Sequence, residues 1–185
     1  MVRLVILDRD GVINHDSPEY IKSPDEWVAI PGSLEAITRL NHSGFHVVLA
    51  TNQSAIGRRI IDIETLSRIH NRMHEQLAEL GGNIDAIFFC PHAPRDGCEC
   101  RKPRPGMLLD IADRVRVSLE DVPFVGDSPA DALAAQAAGA IPHIVRTGGG
   151  AEAESNGTLP AGVSVHDDLG AFVDDLLVRT ASAPG

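Results

Sequence analysis

Carboxylates, a hydroxyl and an ammonium stand where short apolar runs of this sequence end. VRLVIL at 2–7 runs into Asp8-Arg9-Asp10-Gly11, and HVVLAT at 46–51 closes on Thr51-Asn52-Gln53-Ser54. IDAIFFC at 84–90 leads through a loop to Arg101-Lys102-Pro103, and VPFVGD at 122–127 delivers Asp127 and Ser128, with Asp131 following. These types suit phosphoryl transfer: a carboxylate attacks phosphorus in line while positive charge and hydrogen-bond donors neutralise the equatorial oxygens. Several carboxylates alone would repel a phosphate dianion. A divalent cation resolves the conflict, and Mg2+ fits because it prefers oxygen ligands and shares them between carboxylates and substrate phosphate. The pattern assigns the Asp8 and Asp127 side chains and the Asp10 carbonyl to that ion. The Asp-x-Asp spacing divides the labour: Asp8 attacks, while Asp10 protonates the leaving sugar oxygen and then deprotonates the hydrolytic water. Thr51 and Lys102 hold the transferring phosphoryl group, and Asp131 supports the loop or a metal-bound water.

A second cluster has the ligand types of a structural zinc site. Cys90-Pro91-His92 and, after five intervening residues, Cys98-Glu99-Cys100 offer three thiolates and one imidazole. Such a closed Zn2+ site leaves no position for water, so it is expected to brace the loop ending at Arg101-Lys102 and to do no chemistry. His70 and His74, four apart on a predicted helix, lack an evident third ligand and are expected on a solvated or half-buried face. Trp27 is expected to pack under the loop that follows the first strand.

These residues need a scaffold that gathers strand ends, and the sequence predicts one. The apolar runs, with PHIVR at 142–146, alternate with SLEAITRLNHSG, ETLSRIHNRMHEQLAELGG, PGMLLDIADRV and PADALAAQAAG, which carry helical spacing. The alternation predicts an α/β fold, a doubly wound parallel sheet with helices on both faces, whose ligands bind beyond the carboxyl ends of the strands. Residues 148–162 are predicted to form a mobile surface loop before a short strand and a final helix near 167–179.

At 185 residues, 43% hydrophobic, the chain fits a single domain over 1–185. Its net charge of −10 argues against nucleic acid and anionic lipid, and no apolar run is long enough to cross a bilayer. A small molecule is therefore the expected partner. The N-terminus reads as a strand and not a signal peptide, which predicts a cytoplasmic protein. Confinement of all three cysteines to one segment favours metal over disulfides.

Taken in order, DRDGVI at 8–13, TNQS at 51–54, KPRP at 102–105 and GDSPAD at 126–131 resemble the four motifs of the haloacid dehalogenase superfamily. The resemblance runs from the first strand to about residue 147 and implies a capless haloacid dehalogenase-like Rossmannoid fold with a small zinc-binding loop. The phrases CPHAPRDGCECRKPRPGML and IVRTG are similar to one branch of it, the D-glycero-D-manno-heptose 1,7-bisphosphate 7-phosphatases of lipopolysaccharide-core precursor synthesis. That branch removes the C7 phosphate of a sugar bisphosphate and leaves the 1-phosphate for nucleotidyl activation, toward ADP-heptose. The resemblance implies a pocket shaped by loops near 14–23, 54–59 and 90–104. It implies substrate contacts from Asp16, Ser17, Glu19, Tyr20, Thr51, Asn52, Gln53, Ser54, Lys102 and Ser128, with Arg101 on the distal phosphate or sugar. A capless domain of this size is expected to act alone, as a monomer. The nearest alternative is a histidinol-phosphate phosphatase; in a phospho-accepting receiver-like signalling module the acidic cluster comes first and the phosphorylated Asp later, followed by Thr and then Lys, whereas here Lys102 precedes Asp127. A dehalogenase would need neither Asp10 nor a cation.

Overall fold

The structure, a computed structural model, describes residues 3–182; Val2, at the start of the first predicted strand, lies outside them. In chain order the elements are β1 (Arg3–Leu7), α1 (Ser33–His42), β2 (Phe45–Asn52), α2 (Ser54–Gly57), α3 (Ile63–Glu79) and β3 (Ala86–Cys90). They continue with α4 (Gly106–Val115), β4 (Pro123–Gly126), α5 (Pro129–Ala138), β5 (Ile141–Val145), α6 (Gly150–Ser155), β6 (Ser164–His166) and α7 (Leu169–Ser182). The six strands form one parallel sheet in the order β3-β2-β1-β4-β5-β6, the doubly wound architecture expected from the alternation.

Each central strand is covered on both faces, which is why the runs read as unbroken hydrophobic sequence. Successive side chains alternate between two cores. Val5, Leu7, Val47, Leu49 and Val125 pack with Ile37, Leu40, Ile69, Met73 and Phe172, while Leu4, Ile6, Val48, Ala50 and Phe124 pack with Leu108, Ile111 and Ala134. Trp27 is buried in the first of these cores beside Ile21 and Tyr20, under the loop after β1 as expected.

The order reverses between β1 and β4: β2 and β3 extend the sheet to one side, β5 and β6 to the other. Leu7 pairs in register with both Leu49 and Val125. Asp8 N–H then donates to Val125 C=O at 2.8 Å, so the chain leaves β1 still attached to β4. The crevice at such a reversal is where this class of sheet binds ligands.

Two expectations need correction. Residues 148–162 are not a simple loop: Gly150–Ser155 form α6, and the Arg146 guanidinium grips both carboxylate oxygens of Glu154 at 2.7 and 2.9 Å. Asn156 is its C-cap and the following residues turn. His70 is not solvated but buried, because Arg9 meets it in the interior, whereas His74 is half-buried. Among the described residues no helix is long and apolar enough to cross a membrane.

A buried imidazole pair makes stability depend on pH. His143 Nδ1 and His166 Nε2 lie 3.0 Å apart against the Phe172 ring, and His166 Nδ1 is 3.4 Å from Asp175. Burial, then the His166 and Arg179 charges, push His143 down to about 4 from 6.5, with Asp175 opposing. Its folded-state value is depressed, so the unfolded chain takes up a proton below pH 6.5 that the folded chain refuses until about pH 4. Stability is therefore complete above 6.5 and declines through that window. At pH 5 the loss from His143 is about 2 kcal/mol. Thermal unfolding of His143→Leu at pH 7 and pH 5 should show a markedly smaller drop than the parent; equal drops would contradict the assignment.

Candidate active site

β1 ends by presenting Asp8, and the turn beyond it requires Gly11. That residue has φ +79°, and a Cβ there would lie 2.1 Å from Asp127 Oδ2. Asp127, arriving from β4, accepts from Gly149 N–H at 2.8 Å, and a Cβ on Gly148 would strike the same oxygen. Thr147 Oγ1 donates to Gly11 C=O at 2.7 Å, tying the loop after β5 to the loop after β1. Asp8, Asp127 and Asp131 thereby bring one carboxylate oxygen each within 4.8 Å of one another.

Lys102 enters from the loop after β3, almost wholly buried. Its Nζ lies 2.9 Å from Asp8 Oδ2 and 2.6 Å from Asp131 Oδ1, and it donates to Ala50 C=O at 2.8 Å. Asn52 fixes the approach: its Nδ2 donates to Lys102 C=O and its Oδ1 accepts from Lys102 N–H, at 3.1 and 3.2 Å. Asp131 spends its other oxygen on the β4–α5 loop, accepting from Asp127 N–H, Ser128 N–H and Ser128 Oγ. Ser128 is thus the N-cap of α5, its hydroxyl engaged in a capping box.

Asp10 is held apart from this cluster. Arg9 Nε and Nη2 donate to Oδ1 at 3.2 and 2.8 Å, and Nη2 also to Oδ2 at 3.0 Å. Asn14 Nδ2 donates to Oδ1 at 2.9 Å and Gln53 Nε2 to Oδ2 at 2.8 Å. Gln53 Nε2 also donates to Thr51 Oγ1 at 3.0 Å, which links the hydroxyl of β2 to the Asp10 carboxylate.

Above these groups opens a cleft of about 400 Å3. It is lined by Asp8, Asp10, Asp127 and Thr51, and by Asp16, Ser17, Tyr20, Asn52, Gln53 and Ser128 from the surrounding loops. Lys102 reaches Asp8 from beneath and is not part of the lining. Glu19 is exposed and pairs with Lys22, and Ser54 is buried at the start of α2; neither lines the cleft. Arg101 lines a separate cavity of about 210 Å3 with Cys98, Pro103 and Arg104, its Nη1 3.5 Å from His92 C=O.

The electrostatics call for a cation. Burial pushes Asp8 up, to about 8, with Asp131, Asp127 and Asp10 adding to the rise and Lys102 opposing it. Burial and Asp131 push Asp127 up to about 7, against the Gly149 N–H. Carboxylates so crowded stay ionised at neutral pH only beside more positive charge than Lys102 supplies, and a Mg2+ bound to oxygen supplies it. For Lys102, burial works downward but Asp131 and Asp8 outweigh it and raise its pKa, so it remains an ammonium. Asp10 is likewise buried, yet the Arg9 charge and the bonds from Asn14, Arg9 and Gln53 hold it below the usual carboxylate value.

On the neighbouring loop, Cys90 Sγ lies 3.6 Å from Cys98 Sγ and 3.2 Å from Cys100 Sγ, and those two are 3.6 Å apart. His92 Nδ1 is 3.6 and 3.3 Å from the Cys90 and Cys100 sulfurs. A zinc ion ~2.3 Å from each sulfur sets edges of about 3.8 Å. The cluster therefore fits a four-coordinate zinc with a small outward relaxation.

A family model described as haloacid dehalogenase-like hydrolase matches residues 10–139. The chain belongs to this family. Its relatives include the D-glycero-beta-D-manno-heptose-1,7-bisphosphate 7-phosphatase of Bordetella bronchiseptica, 54% identical over 95% of this chain and 98% of that protein. The protein of the same name from Pseudomonas aeruginosa is 49% identical over 94% and 97%. Among solved structures, the D,D-heptose 1,7-bisphosphate phosphatase from B. bronchiseptica complexed with magnesium and phosphate matches with TM-score 0.94 and 54% identity, covering 96% of this chain and 99% of that one. The phosphatase of the same description from Burkholderia thailandensis matches at TM-score 0.76 and 48% identity, covering 95% and 98%.

Within this family fold, three functional features escaped sequence reasoning. The Gly149 N–H on Asp127 is a backbone donor, invisible to side-chain patterns. Asn14 sits four residues past Asp10, and only the turn closed by Ile13 and Asn14 N–H on Arg9 C=O brings them together. Arg9 carried a signal that was legible: a cation between two strand-end aspartates in an apolar run must have a buried partner if it points inward.

Proposed function

We propose that this chain is a magnesium-dependent phosphatase that hydrolyses the C7 phosphate of D-glycero-D-manno-heptose 1,7-bisphosphate through an aspartyl phosphate on Asp8. The observation that carries the reading is the junction at the sheet reversal, where Asp8 meets Lys102 at 2.9 Å within reach of Asp127 and Asp131. The substrate follows from relatives of that name that match nearly end to end.

One Asp8 oxygen attacks phosphorus as the bond to the C7 oxygen breaks, and Asp10, which is ionised in the free site and must take up a proton as the negative substrate enters the cleft, gives that proton to the departing oxygen. Asp10, now a carboxylate, takes a proton from water as the water attacks phosphorus. The Asp8–phosphorus bond then breaks, and inorganic phosphate and the regenerated carboxylate remain. Thr51 and Lys102 hold the phosphoryl oxygens, and Lys102 opposes the upward push on the Asp8 carboxyl. Mg2+, held by Asp8, Asp127 and the Asp10 carbonyl, would supply the charge that lets a phosphate dianion approach. Asp131 serves by fixing Lys102 and the β4–α5 loop. Asp16, Ser17, Tyr20, Asn52 and Gln53 line the cleft and face the sugar, and Arg101, from the separate cavity on the loop that carries Lys102, is assigned the distal phosphate. Ser128 acts through its cap on α5.

Zn2+ bound by Cys90, His92, Cys98 and Cys100 is assigned a structural role, holding the segment that carries Lys102. We read residues 1–185 as one catalytic domain acting as a monomer in the cytoplasm. None of the relatives described above is named for a histidinol-phosphate or receiver activity. The test is phosphate release from both anomers of the heptose bisphosphate, fructose 1,6-bisphosphate and histidinol phosphate, with magnesium and with chelator. The heptose bisphosphate, as the beta anomer that the relatives' names specify, should give the highest kcat/KM and leave the 1-phosphate, with chelator abolishing turnover. Preference for histidinol phosphate would overturn the reading.

A further inference from the structure

Arg9 is the largest side chain buried almost completely, with 1% of its surface exposed. A guanidinium is never deprotonated and cannot be left without partners in the interior. Its partners are two. Nε and Nη2 form a fork on both oxygens of Asp10, and Nη1 lies 3.2 Å from His70 Nε2. Asp10 is the one carboxylate paired with Arg9 among the described residues. The other donors to Asp10, from Asn14 and Gln53, are neutral amides, each reaching a single oxygen.

We infer that Arg9, braced from behind by His70, is a positioning residue that fixes the direction in which Asp10 presents its carboxyl group to the leaving oxygen and to the attacking water. The inference rests on the acid/base reading of Asp10 given above. A planar fork on a carboxylate sets both the distance and the plane of that group, which a single amide donor cannot do. His70 completes the device. With Nε2 as acceptor it can only be a neutral imidazole carrying its proton on Nδ1, and burial beside Arg9 pushes its pKa down to about 3, so it accepts throughout the working range. His70 belongs to α3, whereas Arg9 and Asp10 follow β1, so the orientation of Asp10 is tied to the docking of a helix on the sheet. On its far side His70 lines an open cavity of about 340 Å3 with Asn71, His74 and Phe89, so a substitution there need not collapse the core.

The test separates the two half-reactions. p-Nitrophenolate leaves without help from an acid, so with p-nitrophenyl phosphate the first half-reaction survives a misplaced Asp10 while hydrolysis of the phosphoenzyme does not. In rapid mixing, Arg9→Met should release a full burst of one nitrophenolate per site and then turn over about 10- to 100-fold more slowly than the parent. With an alkyl sugar phosphate, which needs the acid, the burst itself should be lost. His70→Leu should show the same pattern with a smaller drop of about 5- to 10-fold, and His70→Gln, whose amide oxygen can accept from Nη1, should restore it. Should Arg9→Met not fold, the His70 pair decides. Asp10→Asn is the reference. Absence of a burst followed by slow turnover in Asp10→Asn would sink the acid/base reading and this role with it. A normal Asp10→Asn signature beside bursts and rates in the Arg9 and His70 variants that fall together, or do not fall, would sink the positioning role alone.

Discussion

Asp8→Asn should yield a folded protein that releases no measurable phosphate, a loss of at least about 10^4-fold, since removal of a covalent nucleophile forfeits the whole pathway it opens. The fold is expected to survive because the substitution is isosteric and relieves a conflict. Asp8 stands buried within a cluster that includes Asp127 and Asp131, and its carboxyl is pushed up by burial and then by those charges. Lys102 keeps Asp131 as its ion-pair partner at 2.6 Å. The thermal midpoint of Asp8→Asn should therefore equal or exceed that of the parent. Appreciable turnover in a well-folded Asp8→Asn would exclude attack by this residue.

Lys102→Met should fail in the opposite manner, losing stability as well as activity. Its Nζ is the sole cation in contact with Asp8 and Asp131 among the described residues, and it also donates to Ala50 C=O. Taking one member from a buried charged set leaves the others uncompensated, at a cost of about 3–5 kcal/mol, or a midpoint lower by about 10 °C for a domain of this size. Turnover should fall by about 10^2- to 10^3-fold with the loss of the group that faces the developing charge. The double variant Lys102→Met/Asp8→Asn removes a negative charge along with the positive one and should recover much of the stability while remaining inactive. Equal midpoints for the single and double variants, measured by calorimetry, would show that the ion pair carries no such coupling.

Much of the fold, and the convergence of the candidate residues on one crevice, was legible in the sequence because both depend on patterns of one type. Strands buried on two faces announce themselves as apolar runs, and polar residues just beyond them fall at the crevice once the order reverses between β1 and β4. Asp8, Asp10, Thr51 and Asp127 needed nothing more to be located. What lay outside reach was direction. Arg101 and Lys102 are neighbours, yet only Lys102 points inward to Asp8, and the chain before it is shaped by the Cys90–Cys100 loop, whose path has no periodicity. Gln53 was expected on substrate; it lines the cleft, and its Nε2 also spans Asp10 and Thr51, a contact no spacing announced. His70 was expected on a solvated or half-buried face because no third metal ligand is evident in the sequence; its partner in the interior is a guanidinium sixty-one residues away. The helix Gly150–Ser155 was missed since it is short, starts on glycine and has no side-chain cap, so tertiary ties through Arg146 hold it and not local propensity.

The most direct measurement is chemical capture of the intermediate. Enzyme mixed with excess heptose bisphosphate and magnesium is quenched within the first turnover and reduced with borohydride, which converts an acyl phosphate into an alcohol, and the modified residue is located by peptide mass. Homoserine at position 8, absent when substrate is omitted and absent from Asp8→Asn, is the expected result. Modification at another residue, or none while phosphate is released at the normal rate, would contradict an aspartyl phosphate on Asp8.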